Sequence, residues 1–216
     1  MNKYESNILS NIKNISYNFG SKSSKIINEH IFTVKQTHGD NVFILNNPAE
    51  PIDKIEADSI ITNLKGIRIG VKTADCVPIL ITDLDATFIS AIHSGWRGSY
   101  YEITPKTIDK IIENFKIDPN DIVACVGPSI LSCCYEVSFD LWNKFKIKFG
   151  QNKFVFSEKN NRFYLNLARL NLSFLQSKGI SKVDIINQCT FCNDDFFSYR
   201  RDKSLTANQI SNIRLN

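Results

Sequence analysis

The sequence predicts an α+β fold, with mixed β-sheets flanked by helices in a single domain spanning residues 1–216. Three observations carry this expectation. Helical and strand periodicities interleave along the chain. Tight turns such as Asp83-Leu84-Asp85 between apolar runs call for antiparallel neighbours. No Pro/Gly/Ser-rich linker and no repeat of fixed period divides the sequence. A length of 216 residues suffices for one large core, and 43% hydrophobic with 22% charged residues is ordinary for a globular chain.

Taken in order, Ile31 to Val34 and Asn41 to Leu45 read as short strands around the polar turn Gln36-Thr37-His38-Gly39-Asp40, which puts His38 on a loop. A strand near Ile67 to Val71 leads through Lys72-Thr73-Ala74-Asp75-Cys76 to the apolar strand Ile79 to Thr82, so Cys76 stands at a strand junction. Phe88 to Ile92 is a strand ending at His93, after which Gly95 and Gly98 bracket Trp96-Arg97 as turn residues. Thr104-Pro105 starts a helix whose Ile108, Ile111, Ile112 and Phe115 share one face. Ile122 to Val126 is β-rich and ends at Gly127-Pro128. Phe139, Trp142 and Phe145 predict a helix starting near Ser138, and Leu167, Leu170, Phe174 and Leu175 lie on a helix over Leu165 to Ser177, capped by Gly179. Strands Val183 to Ile186, Phe196 to Tyr199 and Ile210 to Leu215 complete the expectation.

Composition excludes several functional classes. The longest apolar runs, Val77 to Ile81 and Phe88 to Ile92, fall far short of the ~20 residues a membrane helix needs. Met1 to Ser10 lacks an apolar stretch before a cleavage site, so a cytoplasmic location is expected. Net charge is +4 with lysines scattered along the chain, which gives no nucleic-acid groove. Six cysteines in a chain of this length read as thiols or metal ligands rather than a disulfide framework. Three of the seven arginines sit in two short polar motifs, Trp96-Arg97 and Arg200-Arg201, where a rigid fork suits an oxyanion.

A catalytic zinc site takes three protein ligands and leaves a fourth position for water or substrate. His38, Cys76 and His93 are suitable in type, and each stands beside small or turn-forming residues that allow close backbone approach. Spacing does not establish the site, because the three come from separate segments. Surface or core histidines and a small buried cysteine remain the plain alternatives.

Five ordered motifs add a resemblance. Val34-Lys35-Gln36-Thr37-His38-Gly39, Thr73-Ala74-Asp75-Cys76-Val77-Pro78-Ile79, and Ala91-Ile92-His93-Ser94-Gly95-Trp96-Arg97-Gly98 are followed by two more. These are Gly127-Pro128-Ser129-Ile130 with Cys133-Cys134-Tyr135-Glu136-Val137, and Phe196-Phe197-Ser198-Tyr199-Arg200-Arg201-Asp202. Over roughly Ile31 to Asp202 the chain resembles the bacterial laccase-domain family, also called the YfiH or multicopper polyphenol oxidoreductase-like family. The resemblance implies a fold similar to the cytotoxic necrotising factor deamidases. It also implies a purine nucleoside phosphorylase with accompanying adenosine deaminase activity, taking adenosine, inosine, guanosine or methylthioadenosine with phosphate. By position in the motifs, it implies one Zn2+ held by His38, Cys76 and His93. The chain departs from the family pattern in three places. Its N-terminal approach is short, with Tyr17 to Ser21 the only trace of a Gly-rich turn region. Leu131-Ser132 replaces a Gly-Pro pair, and Ala207-Asn208 stands where relatives often carry Gly-Arg.

Phosphorolysis of a nucleoside needs phosphate held at C1′ and charge stabilised on the departing base. Arg97 is the first candidate for the oxyanion contact, with Arg200 and Arg201 behind it; for these two, pairing with Asp194, Asp195 or Asp202 is the structural alternative. Asp75 is the candidate carboxylate for proton transfer in deamination, its alternative being to orient a ligand or cap a turn. The nucleobase-deaminase signature H-x-E with P-C-x-x-C is absent. Three histidines and the single methionine Met1 exclude a trinuclear copper cluster, though His38, Cys76 and His93 could hold one copper ion in vitro. Two rival readings remain. One is a Cys-His hydrolase in which His93 activates Cys76. The other is a non-enzymatic zinc-stabilised module using Cys133, Cys134, Cys189 and Cys192, against which the spacing favours buried reduced thiols.

Overall fold

Apolar residues that alternate along short strands, with helical stripes between them, produce a computed structural model that describes residues 4–24, 30–150, 152–203 and 207–216. Its elements in chain order begin with β1 (Ile15–Asn18), β2 (Val42–Ile44), β3 (Ser59–Thr62), β4 (Arg68–Thr73), β5 (Val77–Asp83) and β6 (Ile89–Ser94). The helices α1 (Trp96–Tyr100) and α2 (Ile103–Phe115) follow, then β7 (Ile122–Val126), β8 (Glu136–Val137), α3 (Phe139–Phe149), β9 (Phe156–Lys159) and β10 (Arg162–Leu165). The chain continues through α4 (Leu167–Ser177), β11 (Lys182–Ile185), α5 (Tyr199–Asp202) and β12 (Gln209–Leu215).

The central six-stranded sheet runs β11-β7-β5-β6-β3-β2. Its inner pairs β7-β5, β5-β6 and β6-β3 are antiparallel, and the outer pairs β11-β7 and β3-β2 are parallel, so the sheet is mixed as the sequence predicts. Both faces are covered, which explains the near-continuous apolar strands. Ile79, Ile81, Ile92, Ala124 and Val126 pack with Ile108 and Ile111 of α2, Trp142 and Phe145 of α3, and Leu170 and Phe174 of α4. The alternate residues Leu80, Ile89, Ala91, Val123 and Cys125 pack with Ile69 and Val71 of β4 and Ile213 and Leu215 of β12. Strands β4 and β12 belong to a second, antiparallel sheet in the order β1-β12-β4, and β8-β10-β9 form a small third sheet. Among the described residues no helix is long and apolar enough to cross a membrane.

Two expected strands are corrected. Ile31 to Val34 forms no strand; Phe32 makes an isolated bridge to Ile69, and Lys35 another to Glu56. The segment is instead pinned at single points while the loop after it closes around a buried carboxylate. Phe196 to Tyr199 is a turn entering α5, because the Ser198 hydroxyl accepts the Arg201 N–H as an N-cap. The expected turn at Trp96-Arg97 is the short helix α1, with Gly95 at its N-cap. Leu165 ends β10 rather than opening α4, whose cap is Asn166 accepting from the Arg169 N–H. Of the tail that departs from the family pattern, Leu205 and Thr206 lie outside the described residues, while Ala207 and Asn208 directly precede β12.

Gly127 leaves β7 where two layers meet. A Cβ there would stand 2.3 Å and 2.4 Å from ring carbons of Phe19 and 2.9 Å from Pro78 Cγ. Gly127→Ala is expected to destabilise the fold by about 1–3 kcal/mol, lowering Tm by roughly 2–12 °C in a thermal melt. An unchanged Tm would show that Phe19 has room to move.

Candidate metal centre

Three chain segments converge at the ends of β4, β5 and β6. His38 lies on the loop before β2, Cys76 in the turn between β4 and β5, and His93 on β6, where its register partner is Pro78 at the start of β5. One donor atom from each lies within 4.8 Å of the others. The two imidazoles meet edge to face, with centroids 4.7 Å apart and an interplanar angle of 86°. His93 is buried, Cys76 half-buried and His38 exposed, so the site has a floor and an open side. Gly95 makes the convergence possible: a Cβ there would come to 3.0 Å from Cys76 Sγ and 3.3 Å from His38 Cδ2.

Asp58, which directly precedes β3, organises two of the three donors and was not singled out from the sequence. The backbone N–H groups of Thr37, His38 and Gly39 donate to its carboxylate at 3.2, 3.0 and 2.7 Å, and the Thr37 hydroxyl adds a fourth bond at 3.2 Å. This cage holds His38 at φ 60°, a left-handed conformation that a non-glycine residue adopts only under constraint. On its other side, Asp58 Oδ1 lies 2.7 Å from Nδ1 of His93, and the Asp58 carbonyl accepts the His93 backbone N–H at 2.7 Å. Burial disfavours the charged carboxylate, yet hydrogen bonding and charge from His93, with the Gly39 and Thr37 N–H groups, hold its pKa below the ordinary value. An ionised Asp58 only accepts, so His93 donates from Nδ1 and its Nε2 is the atom turned toward Cys76, protonated in the absence of an ion and a ligand lone pair once that proton is displaced.

Electrostatics couple the donors. Burial pushes the Cys76 thiol up, but the charge of His93 and hydrogen bonds from both imidazoles bring it down to about 6. Burial likewise opposes protonation of His93, but Cys76 and Asp58 raise it to about 9. A thiolate and two imidazoles facing one point suit a transition metal bound through three ligands with a fourth position open.

The remaining sequence candidates divide. Asp75 is adjacent to Cys76 at φ 88°, and its carboxylate accepts from the Thr190 hydroxyl at 2.7 Å, the Ser198 hydroxyl at 3.0 Å and the Arg200 N–H at 2.7 Å. Arg200 donates to the Glu136 carbonyl at 3.0 Å, and its guanidinium lies 5.4 Å from the Tyr135 ring centroid. Tyr135, a second residue the sequence reading did not single out, has its phenol pushed up by burial and by the Cys76 charge, which places it beside the site. Arg201 faces away: it donates to the Thr190, Phe191 and Phe196 carbonyls and pairs with Asp202 and Asp194. Arg97 is exposed in the first turn of α1, one residue beyond Trp96, over whose ring it stacks at 4.6 Å. An open cleft of about 560 Å³ between Asp40 to Phe43 and α2 is lined by Glu56, Lys106 and Lys110 and contains none of the three donors.

A family model described as multi-copper polyphenol oxidoreductase laccase matches residues 5–216. A protein of Aquifex aeolicus named purine nucleoside phosphorylase is 38% identical over 176 residues, covering 82% of this chain and 79% of that one. One of the same name from Clostridium acetobutylicum is 34% identical over 182 residues, covering 83% and 75%. Among solved structures, a hypothetical YfiH protein of Bacillus licheniformis superposes with a TM-score of 0.78 at 28% identity, covering 86% of this chain and 74% of that one. YlmD of Geobacillus stearothermophilus gives a TM-score of 0.77 at 25% identity over 86% and 74%.

Two measurements test the centre. Asp58→Asn removes the charge and turns one of the two accepting oxygens into an N–H donor, which mismatches either His93 Nδ1–H or the N–H groups of the His38 loop, so metal affinity measured by competition with a chromogenic chelator should fall about 10–100-fold. Unchanged affinity would mean that Asp58 does not orient the ligands. Metal binding must also displace protons. Between about pH 6 and 9, where Cys76 is ionised and His93 protonated, one proton leaves and affinity should rise about tenfold per pH unit. Below that window the thiol contributes a second proton and the slope should approach a hundredfold. A flat profile from pH 6 to 9 would contradict the assigned donors.

Proposed function

The chain belongs to the multi-copper polyphenol oxidoreductase laccase family, and on that premise we propose that it is a zinc-dependent purine nucleoside phosphorylase with its reaction centre at His38, Cys76 and His93. The observation that carries this reading is the convergence of those three donors from separate segments. It occurs in a chain 38% identical to a protein named purine nucleoside phosphorylase. The laccase label does not describe the chemistry, because three histidines and one methionine leave no ligands for a trinuclear copper cluster. Copper remains a substitute ion that these donors would bind in vitro.

In phosphorolysis the C1′–N9 bond of the nucleoside breaks, a phosphate oxygen bonds to C1′, and the base leaves with a proton. His38, Cys76 and His93 would hold the zinc ion, which would supply Lewis-acid chemistry there. The protein's own residues supply placement. Asp58 fixes both histidines, so the centre needs little reorganisation during reaction. Arg97, exposed beside Gly95, is free to meet phosphate with its fork of N–H donors. Arg200, braced by the Glu136 carbonyl and Tyr135, is the second candidate for an oxyanion contact. Arg201 is committed to carbonyls and carboxylates within its own segment, which favours its structural role. Asp75 has both carboxylate oxygens engaged, which favours positioning of the Cys76 turn over proton transfer. Adenosine deamination at the same centre is a further proposed activity and rests on the family resemblance.

A Cys-His hydrolase is the second reading, favoured by the depressed Cys76 thiol and by the line of Cys76, His93 and Asp58. A metal on Cys76 would block that nucleophile. Incubation with adenosine and inosine, with and without phosphate, should yield free base and ribose-1-phosphate only when phosphate is present. Cys76→Ser and His93→Ala should each lower that rate by more than about 100-fold, beyond the effect of an outer partner of a ligand. Absence of any product under all conditions would defeat the nucleoside reading.

A further inference from the structure

Four of the six cysteines form a second cluster that the reaction centre does not use. Cys133 and Cys134 lie on the turn before β8, and Cys189 and Cys192 on the turns after β11. Their sulfur atoms all lie within 4.8 Å of one another, with Cys134 to Cys192 at 3.2 Å and Cys133 to Cys192 at 3.8 Å. The expectation of buried reduced thiols is corrected for two of them: Cys133 and Cys192 are exposed, because both sit on turns at the surface, while Cys189 is buried.

The geometry points to a tetrathiolate site in which Cys133, Cys134, Cys189 and Cys192 bind a structural zinc ion that clamps the two turns together. Zinc bonded to four sulfurs at about 2.3 Å places those sulfurs about 3.8 Å apart, which the cluster already approaches. Thiols are weak hydrogen-bond donors and acceptors, so four of them gain little from mutual contact, whereas a divalent cation engages all four as thiolates. One backbone donor already faces the buried sulfur. The Leu131 N–H donates to Cys189 Sγ at 3.5 Å. One buried and two exposed sulfurs give the ion both a seat and an entry path.

The clamp would act on the wall of the reaction centre. Ser129 and Cys189 form a parallel bridge; the Ser129 N–H donates to the Gln188 carbonyl, and the Thr190 N–H to the Ser129 carbonyl. These two segments hold Asp75: the Ile130 N–H donates to its carbonyl at 2.9 Å, and the Thr190 hydroxyl to its carboxylate at 2.7 Å. Asp75 precedes Cys76, so an ion locking the two turns fixes the turn that presents the reactive sulfur. The Cys-x-x-Cys spacing of Cys189 and Cys192 resembles half of a zinc ribbon, and the vicinal pair Cys133-Cys134 supplies the other half through the fold.

The site stands independently of the nucleoside reading, and metal counting separates the two. The His38→Ala/Cys76→Ser double variant, purified reduced and without chelator, should retain one zinc per chain by elemental mass spectrometry. Exchanged with cobalt(II), it should show the intense visible bands and near-ultraviolet charge transfer of tetrahedral thiolate coordination. Denatured with chelator, its five remaining cysteines should all titrate as free thiols. Adding Cys192→Ser to that double variant should abolish the cobalt bands. A double variant that folds without zinc and gives no such cobalt spectrum would overturn the proposal, as would two of the thiols being lost to a Cys134–Cys192 disulfide.

Discussion

The candidate metal centre depends on one buried carboxylate. Asp58 has no exposed surface in its side chain, and its ionised form survives burial because one imidazole and three consecutive backbone N–H groups surround it. That arrangement does two things at once. It bends the Thr37 to Gly39 segment into a conformation that sets the His38 ring against that of His93, and it holds the His93 ring through Nδ1. Losing the carboxylate would strand three N–H donors and release both imidazoles, so the cost is shared between stability and ligand placement.

The sheet architecture supplies the frame for that carboxylate. Asp58 leads into β3, which pairs antiparallel with β6, so the carboxylate and His93 are brought together by strand register. The antiparallel β5-β6 pair then sets the Cys76 turn beside the end of β6. The start of helix α1 packs against the His38 loop, and it can do so because Gly95 and Gly98 have no Cβ; one at Gly98 would lie 2.9 Å from the Gly39 carbonyl oxygen. On the far side of Cys76, the Asp75 network and the four-cysteine cluster join the 129–135 and 188–192 segments into one wall. The three-donor cluster that contains Cys76 and the four-cysteine cluster are thus linked through one neighbouring residue, Asp75.

Much of the fold was legible because its signals are local. Helix α2 announced itself through Ile108, Ile111 and Phe115, and α3 through the Ser138 cap with Trp142 and Phe145, patterns that need only a 3.6-residue period and a capping side chain. Phe196 to Tyr199 was misread because aromatic residues favour strands, whereas the Asp75 carboxylate and the Ser198 cap draw that segment into a helical turn. His38, Cys76 and His93 were identifiable by residue type and motif, but their meeting point was not. Asp58 was invisible for a plainer reason: its partners lie 19 to 35 positions away, and an aspartate before an apolar strand carries no local sign of what it will hold. The cysteine cluster likewise joins residues 58 and 59 positions apart, a separation that only the parallel bridge between Ser129 and Cys189 explains.

The most direct measurement is the rate of phosphate-dependent ribose-1-phosphate formation from inosine by protein stripped of metal and then titrated with zinc. A centre built on His38, Cys76 and His93 requires that the stripped protein be inactive and that zinc restore the rate in proportion to the His38, Cys76 and His93 sites refilled. Full activity in protein shown by elemental analysis to hold no metal would contradict it and leave Cys76, His93 and Asp58 to be understood as a metal-free nucleophilic triad.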